Sequence, residues 1–455
     1  MRSLLRLLQL LLLLFVVFCD SAEIEDRLFD DATVLKKELE AHAWTLMRRS
    51  QDLVKFGLQE DAEQSLREAV GAAPWLPEAY CALAHHLFEH GSRYRIQEMI
   101  ELFNKAMRIH HALPKPTQGG TAADLMTSLH KRPSMLPHFK GQTFPCRLKH
   151  DREQLALLGE RGRLPQSIVD RYVRGYDQLL ALIPPDSWEY AMNLPESLWA
   201  KTIGSVYQRA LYVPEVEPLK GRVLNPNLDF AKIEEQYLTS DPRFVYFDDL
   251  LTDEALLKLR HYYEEATVFW DAKPGYVGSY LLDGGFGNVI VAQLIEELVD
   301  AFPRLICTHQ LSQAWAYKYD SEIARPIAPH ADVAAINFNF WISPDEGNLD
   351  PDSGGLVVYK AIPPEGTPMS VFNQLPLHEN VTKMLGATGY ANHTVPYRSN
   401  RAVVFQSNLF HESGQTKNWA PGYTKRRINL TLLFGKMYGK CADDEDSQEE
   451  SCKQR

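Results

Sequence analysis

The residues best able to do chemistry stand in the last third of the chain. They are Ala328-Pro329-His330-Ala331-Asp332, then Ser407-Asn408-Leu409-Phe410-His411, then Arg426-Arg427-Ile428-Asn429-Leu430-Thr431. His330 and Asp332 are two residues apart, so on an extended backbone both side chains point the same way and can hold one ion. With His411 the set becomes two imidazoles and one carboxylate, which suits a divalent iron whose other three positions must stay open. A lone His-x-Asp is common and proves little. Its weight comes from order: Gly354-Gly355 turn the chain into an apolar strand, Arg401–Gln406 form a strand leading to His411, and an arginine sits on the next strand.

A fold must position these segments. From Ser312 onward short strands bounded by Pro, Gly, Asn and Asp dominate, the pattern of a sandwich or barrel. Trp315, Tyr317 and Tyr319 share one strand face, and Asn337, Asn339 and Trp341 lie opposite Ile336, Phe338 and Phe340. Upstream, Phe244–Asp249 reads as a strand, and Thr252 caps a helix running to about Ala266. Gly284-Gly285-Phe286-Gly287 precedes the apolar helix Val289–Phe302; it matches no phosphate-binding pattern and reads as a turn.

The ordered set from His330 to Leu433 resembles the 2-oxoglutarate and iron(II)-dependent oxygenases, most closely those with a prolyl 4-hydroxylase-like domain, within a region spanning Phe244–Met437. The resemblance implies a double-stranded β-helix, or jelly roll, in which His330, Asp332 and His411 bind Fe(II) and 2-oxoglutarate completes the site as cosubstrate. The cosubstrate's far carboxylate needs a cation, and a guanidinium can meet it with two parallel hydrogen bonds. Arg427 is the candidate, with the Thr431 hydroxyl on the same face as a further donor, because Arg427-x-x-x-Thr431 looks like the corresponding strand of similar enzymes. A register error of one residue would exchange Arg427 with Arg426. Tyr317 or Tyr319 is expected to hydrogen-bond the cosubstrate; ordinary sheet packing is the competing account of both tyrosines and of Asn337 and Asn339. The implied reaction converts 2-oxoglutarate to succinate while hydroxylating a substrate, with ascorbate as an accompanying reductant.

The N-terminal half reads as helices. Gly57, Ala62, Ala69 and Pro74 sit at tetratricopeptide-repeat offsets, and Tyr80, Leu83, Ala84, Gly91, Phe103 and Ala106 form a looser second unit. A plain helical hairpin is the competing account. Prolines and glycines accumulate from Pro114 to about Arg147, marking a connection, after which Lys149–Glu160 and Gln166–Ile183 are helical. No element is assigned between Pro184 and Arg243. The expected class is thus an α+β multidomain chain: a leader at 1–22, repeats at 23–113, a linker and helical region at 114–243, the oxygenase domain at 244–440 and an acidic tail at 441–455.

Composition limits the partners. The 455 residues are 45% hydrophobic, enough for well-packed domains, and the net charge of -11 argues against general nucleic-acid or anionic-membrane binding. Met1–Arg6 followed by the apolar run Leu7–Cys19 reads as a secretory leader, cleaved near Ser21 or Ala22, with an uncleaved anchor as the second choice. That places the protein in the secretory lumen, or secreted. Six cysteines are too few for a disulfide scaffold; Cys441 and Cys452 bracket the tail and could close a small loop. Of the sequons at Asn380, Asn392 and Asn429, the first two are expected in a loop and open to a glycan, the third in a core strand and closed to one. His309, His378 and His393 read as surface or loop histidines. The function expected is hydroxylation of a protein or peptide side chain, with the repeats as a groove for it. The alternatives are a non-catalytic repeat scaffold with an inactive barrel, or an oxygenase acting on a small molecule. Nothing in the sequence specifies an oligomeric state.

Overall fold

The computed structural model describes residues 22–91, 95–111, 142–184, 187–188, 190–306, 309–320, 327–373, 379–414 and 418–436. The leader, the acidic tail with its two cysteines, Cys307, His378 and most of the proline- and glycine-rich connection lie outside the described residues. The chain divides into two compact units, Met1–His86 and Leu87–Arg455.

The first unit is helical. Helices Ala22–Lys55 and Gln59–Ala72 form a hairpin turned at Gly57, whose φ of 76° suits glycine. Its seam is made by small residues: Ala62 and Ala69 are fully buried, and the Ser65 hydroxyl donates to the Leu46 carbonyl at 3.0 Å. Helix Pro77–His90 follows and runs across the division.

In the second unit, helix Ile96–His110 belongs with the sheets although it falls within the region expected to be repeats. It explains the glycine-rich turn at 284–287. Asn104 accepts from Gly285 N at 2.7 Å and donates to Gly287 O at 2.8 Å, and a Cβ at Gly284 or Gly287 would press on Phe103 or Ile100. The turn is a helix-docking surface, built of glycine because the helix lies directly against it, its Phe103 carbonyl over Gly284 and its Ile100 side chain over Gly287.

Strands β1 (Gln142–Thr143) and β2 (Met192–Asn193) form a small pair beside three helices. Pro145–Glu160, Gln166–Leu180 and Glu196–Thr202 bury Leu158, Tyr172, Tyr176, Trp199 and Ile203 in one core. The unassigned stretch contains Glu196–Thr202 and a helix at Phe230–Thr239, where the Asp229 carboxylate accepts from Lys232 N.

The remaining strands make two facing sheets. β3 (Phe244–Phe247), β4 (Asp271–Lys273), β5 (Tyr276–Tyr280), β6 (Leu311–Tyr319), β7 (Ile336–Trp341), β10 (Ala402–Gln406) and β12 (Ile428–Phe434) form an antiparallel sheet in the order β3-β10-β7-β12-β6-β5-β4. β8 (Leu356–Tyr359), β9 (Asn392–Val395) and β11 (His411–Ser413) form the second, ordered β11-β8-β9. Trp341, Val403 and Phe405 from the first sheet pack against Leu356, Val358 and Val395 from the second, so the fold is a sandwich over a shared core. Helices Asp253–Glu265 and Val289–Ala301 are capped by Thr252 and Asn288 side chains. Asn380 lies on helix Glu379–Ala387 and Asn392 on β9, so neither is in the expected loop; Asn392 is exposed at the sheet edge. Asn429 is buried on β12.

Candidate metal and cosubstrate site

His330 pairs backbone to backbone with His411, across N–O distances of 3.0 and 2.8 Å, so the two histidines are brought side by side by a short antiparallel bridge next to β11. Asp332 is fixed by its own N–H, which donates to Ser407 O at 3.1 Å. The three ligating atoms lie within 4.8 Å of one another. Asp332 is 3.9 Å from His330 Nε2 and 3.4 Å from His411 Nε2.

Each imidazole uses the same device to present its Nε2. His330 Nδ1 lies 2.9 Å from Ala328 O, and His411 Nδ1 lies 3.0 Å from Leu409 O. A carbonyl can only accept, so Nδ1 is a donor in both rings and Nε2 is the atom turned toward Asp332. Burial, reinforced by His411, holds the His330 pKa down to about 4, so the ring is neutral at physiological pH. Burial alone would raise the Asp332 pKa, but His411, His330 and the Asn337 amide together hold it below its ordinary value. A neutral imidazole and an ionised carboxylate are the forms that bind a cation.

A pocket of about 410 Å³ opens over these ligands. Its wall includes Tyr317, Tyr319, Arg427 and Thr431, so all seven residues singled out from the sequence line one space. The two arginines separate. Arg426 points to the other face of the sheet, where it pairs with Glu153 and with Asp320 at 2.8 Å. Arg427 faces the pocket, 2% exposed, with Nε donating to Gly354 O at 2.7 Å and Nη2 to Gly355 O at 3.0 Å. Its guanidinium carbon sits 4.6 Å from the Tyr319 ring and 5.6 Å from that of Trp341. Its Nη1 has no hydrogen-bond partner, and no carboxylate among the described residues pairs with it. A buried cation held by neutral groups, with one donor edge unused, fits an incoming carboxylate. The Gly-Gly turn is required here: Gly354 has φ 75°, and a Cβ on Gly355 would collide with the Val395 carbonyl.

Between Arg427 and the ligands runs a hydrogen-bond ladder across β7 and β12 whose direction is fixed by Asp332. A carboxylate accepts, so Asn337 turns its Nδ2 to Asp332, at 2.8 Å, and its oxygen to Asn339 Nδ2. Asn339 then offers its oxygen to the Thr431 hydroxyl, at 2.6 Å, and Thr431 Oγ1 accepts from Asn429 Nδ2 at 3.3 Å. The Thr431 proton is therefore committed to Asn339, and the unpartnered atom at the end of the ladder is the acceptor Asn429 Oδ1. A second relay ends the same way. Tyr280 donates to Asp271 at 2.9 Å, so the 3.1 Å bond between Tyr280 and Tyr317 must be donated by Tyr317, leaving the Tyr317 oxygen as an acceptor. Tyr317 and Asn429 are direct cross-strand partners. Sequence reasoning considered Asn337 and Asn339 only as packing; the signal was amides alternating with Ile336, Phe338 and Phe340 on an otherwise apolar strand. Ser413, Leu356 and Ile327 also line the pocket, and nothing in their local sequence singles them out.

His309 and His393 are away from this site; the His393 ring stacks on Phe244 at 4.5 Å.

No protein-family model matches the chain, and no curated protein does. Several solved structures are similar to it at low identity. The non-heme alpha ketoglutarate dependent epimerase SnoN from nogalamycin biosynthesis is 14% identical, with a TM-score of 0.32 over 46% of this chain and 83% of that one. A prolyl-4-hydroxylase from Pseudomonas putida is 15% identical, with a TM-score of 0.28 over 46% of this chain and 99% of that one. HygX from Streptomyces hygroscopicus, solved with nickel, 2-oxoglutarate and hygromycin B, is 11% identical, with a TM-score of 0.31 over 45% of this chain and 87% of that one.

Proposed function

We propose that the chain is an iron(II)- and 2-oxoglutarate-dependent dioxygenase with a double-stranded β-helix core. The observation that carries this is the pairing, in one pocket, of the His330, Asp332 and His411 ligand set with a buried arginine whose Nη1 is unused. Strand order supports the fold: β10-β7-β12-β6 form the centre of one sheet, and the His330 bridge, β11, β8 and β9 follow one another in the other.

In this reading His330, Asp332 and His411 hold Fe(II), which with 2-oxoglutarate supplies oxygen activation coupled to decarboxylation to succinate. Arg427 binds the far carboxylate of the cosubstrate, its positive charge kept available by the Gly354 and Gly355 carbonyls and steadied over Tyr319. Thr431 acts through Asn339 on Asp332. Tyr317 and Asn429 present acceptors, so the group beside them is a hydroxyl or N–H donor. Trp315 and Tyr317 supply an aromatic wall.

The pocket, shared with a cosubstrate, suits a small molecule bearing such donors. A single side chain of a peptide is the second reading, supported by the helical N-terminal region, which we propose consists of tetratricopeptide-like repeats. The apolar run at the N-terminus supports a secretory route; no helix among the described residues is long and apolar enough to cross a membrane.

The test is succinate formation by the purified full chain with Fe(II), ascorbate and 2-oxoglutarate, followed by a search for a compound or peptide gaining one oxygen mass. Loss of succinate in His330→Ala and Asp332→Ala is expected. Equal succinate formation by those variants and the parent would remove the assignment in favour of a non-catalytic binding protein.

A further inference from the structure

The metal ligands have a support outside the sheets. His330 and Asp332 flank Ala331, and along an extended strand successive residues direct their backbone polar groups to opposite sides. His330 spends its N–H and C=O on His411, so those of Ala331 point the other way, where no strand among the described residues runs. Asn373 occupies that position. Its Oδ1 accepts from Ala331 N at 3.0 Å and its Nδ2 donates to Ala331 O at 2.7 Å, so one side-chain amide replaces a missing strand. Ala331 is fully buried, and both of its polar groups would otherwise be sealed from water without a partner.

Asn373 belongs to the segment between β8 and β9, which carries helices Met369–Phe372 and Glu379–Ala387. The same segment reaches the third ligand. Phe410, immediately before His411, donates its N–H to Ala361 O at 2.9 Å. Ala331 and Phe410 pack in one cluster with Ala361, Phe372, Val381 and Leu385. The peptide units next to all three ligands are thus held by the one segment between β8 and β9.

We infer that this segment is a collar that sets the geometry of the metal centre, with Asn373 as its positioning residue. This rests on the metal-site reading above, and the two can fail separately. Without the Asn373 amide, Ala331 must find other partners by moving, and His330 and Asp332 move with it on either side. Groups that orient metal ligands in this way typically change affinity by roughly 10- to 100-fold when removed.

The experiment is titration of the full-length apo protein with Co(II), read by its visible d–d absorption, in the parent, Asn373→Ala and Asn373→Asp. Asn373→Ala is expected to weaken Co(II) binding by roughly 10- to 100-fold and to alter the band shape, a signature that lost stability alone does not produce. Asn373→Asp keeps the acceptor for Ala331 N–H and loses the donor to Ala331 O, so it should fall between the two. It also carries the test if Asn373→Ala does not fold. Co(II) affinity within twofold of the parent, with an unchanged band, in whichever variant folds would overturn the inference. A parent that binds no Co(II) would instead remove the metal-site reading.

Discussion

Arg426 and Arg427 are neighbours in sequence, both about 2% exposed, and they end in opposite electrostatic worlds. Behind the sheet, Arg426 closes a network with Glu153 and Asp320. Beside it Lys318, with no exposed surface, donates to Tyr263 O at 2.7 Å and to the Tyr423 hydroxyl at 2.6 Å. Burial, with Arg426 nearby, drives the Lys318 pKa well below its ordinary value. His150 and Asp151 complete this side, joined at 2.9 Å. On the pocket side Arg427 meets two carbonyls and two aromatic rings and keeps one donor unused. The lesson is that burial of charge does not by itself mark function. A network whose charges are answered within the protein holds the fold; a buried charge with an unused donor is where the proposed function places a ligand.

Substitutions can break that contrast. The largest effect is expected at the ligands, where His330→Ala should abolish stoichiometric Fe(II) or Co(II) binding as read by absorption or calorimetry. Next, Arg427→Gln should cost about 2–5 kcal/mol in 2-oxoglutarate affinity while leaving thermal stability close to the parent's. Arg426→Gln should do the reverse. Taking the guanidinium away from Glu153 and from buried Asp320, which keeps Lys149 at 3.3 Å, costs up to about 3–5 kcal/mol of stability in denaturant unfolding, with 2-oxoglutarate affinity in the folded fraction unchanged. If both variants lose affinity alike, the two arginines are not functionally distinct.

Smaller effects sharpen the comparison. Burial, aided by Lys318, depresses the His150 pKa to about 3. Its unfolded value is near 6.5, so between these pH values the unfolded chain takes up a proton that the native one refuses. Stability should therefore decline as pH falls below about 6.5. Urea midpoints at several pH values would show it, and His150→Gln should flatten the slope. Smallest of all, Thr431→Val should cost about 1 kcal/mol of stability and change 2-oxoglutarate affinity little, because its hydroxyl serves Asn339. A large affinity loss would show that Thr431 donates to the cosubstrate after all.

Much of this was present in the sequence because strands and metal ligands have local signatures. His-x-Asp spacing places two side chains on one side of the backbone whatever the surrounding fold, and the alternation over Ile336–Trp341 marks a strand from within six residues. Caps such as Thr252 depend on neighbours a few positions away. The preference for Arg427 over Arg426 rested on the family resemblance alone, because two adjacent arginines differ only in which face of β12 each meets, and that depends on register with β6 and β7. Likewise, no local pattern reveals that Asn373 lies against Ala331, 42 positions earlier, or that Asp332 sets the direction of a ladder ending at Asn429. The sequence alone picked out His330, Asp332 and His411 and the strands that carry the pocket wall. Only the tertiary structure decided which polar groups were satisfied and which, such as Arg427 Nη1 and Asn429 Oδ1, were left without a partner, since satisfaction is a property of contacts between distant segments.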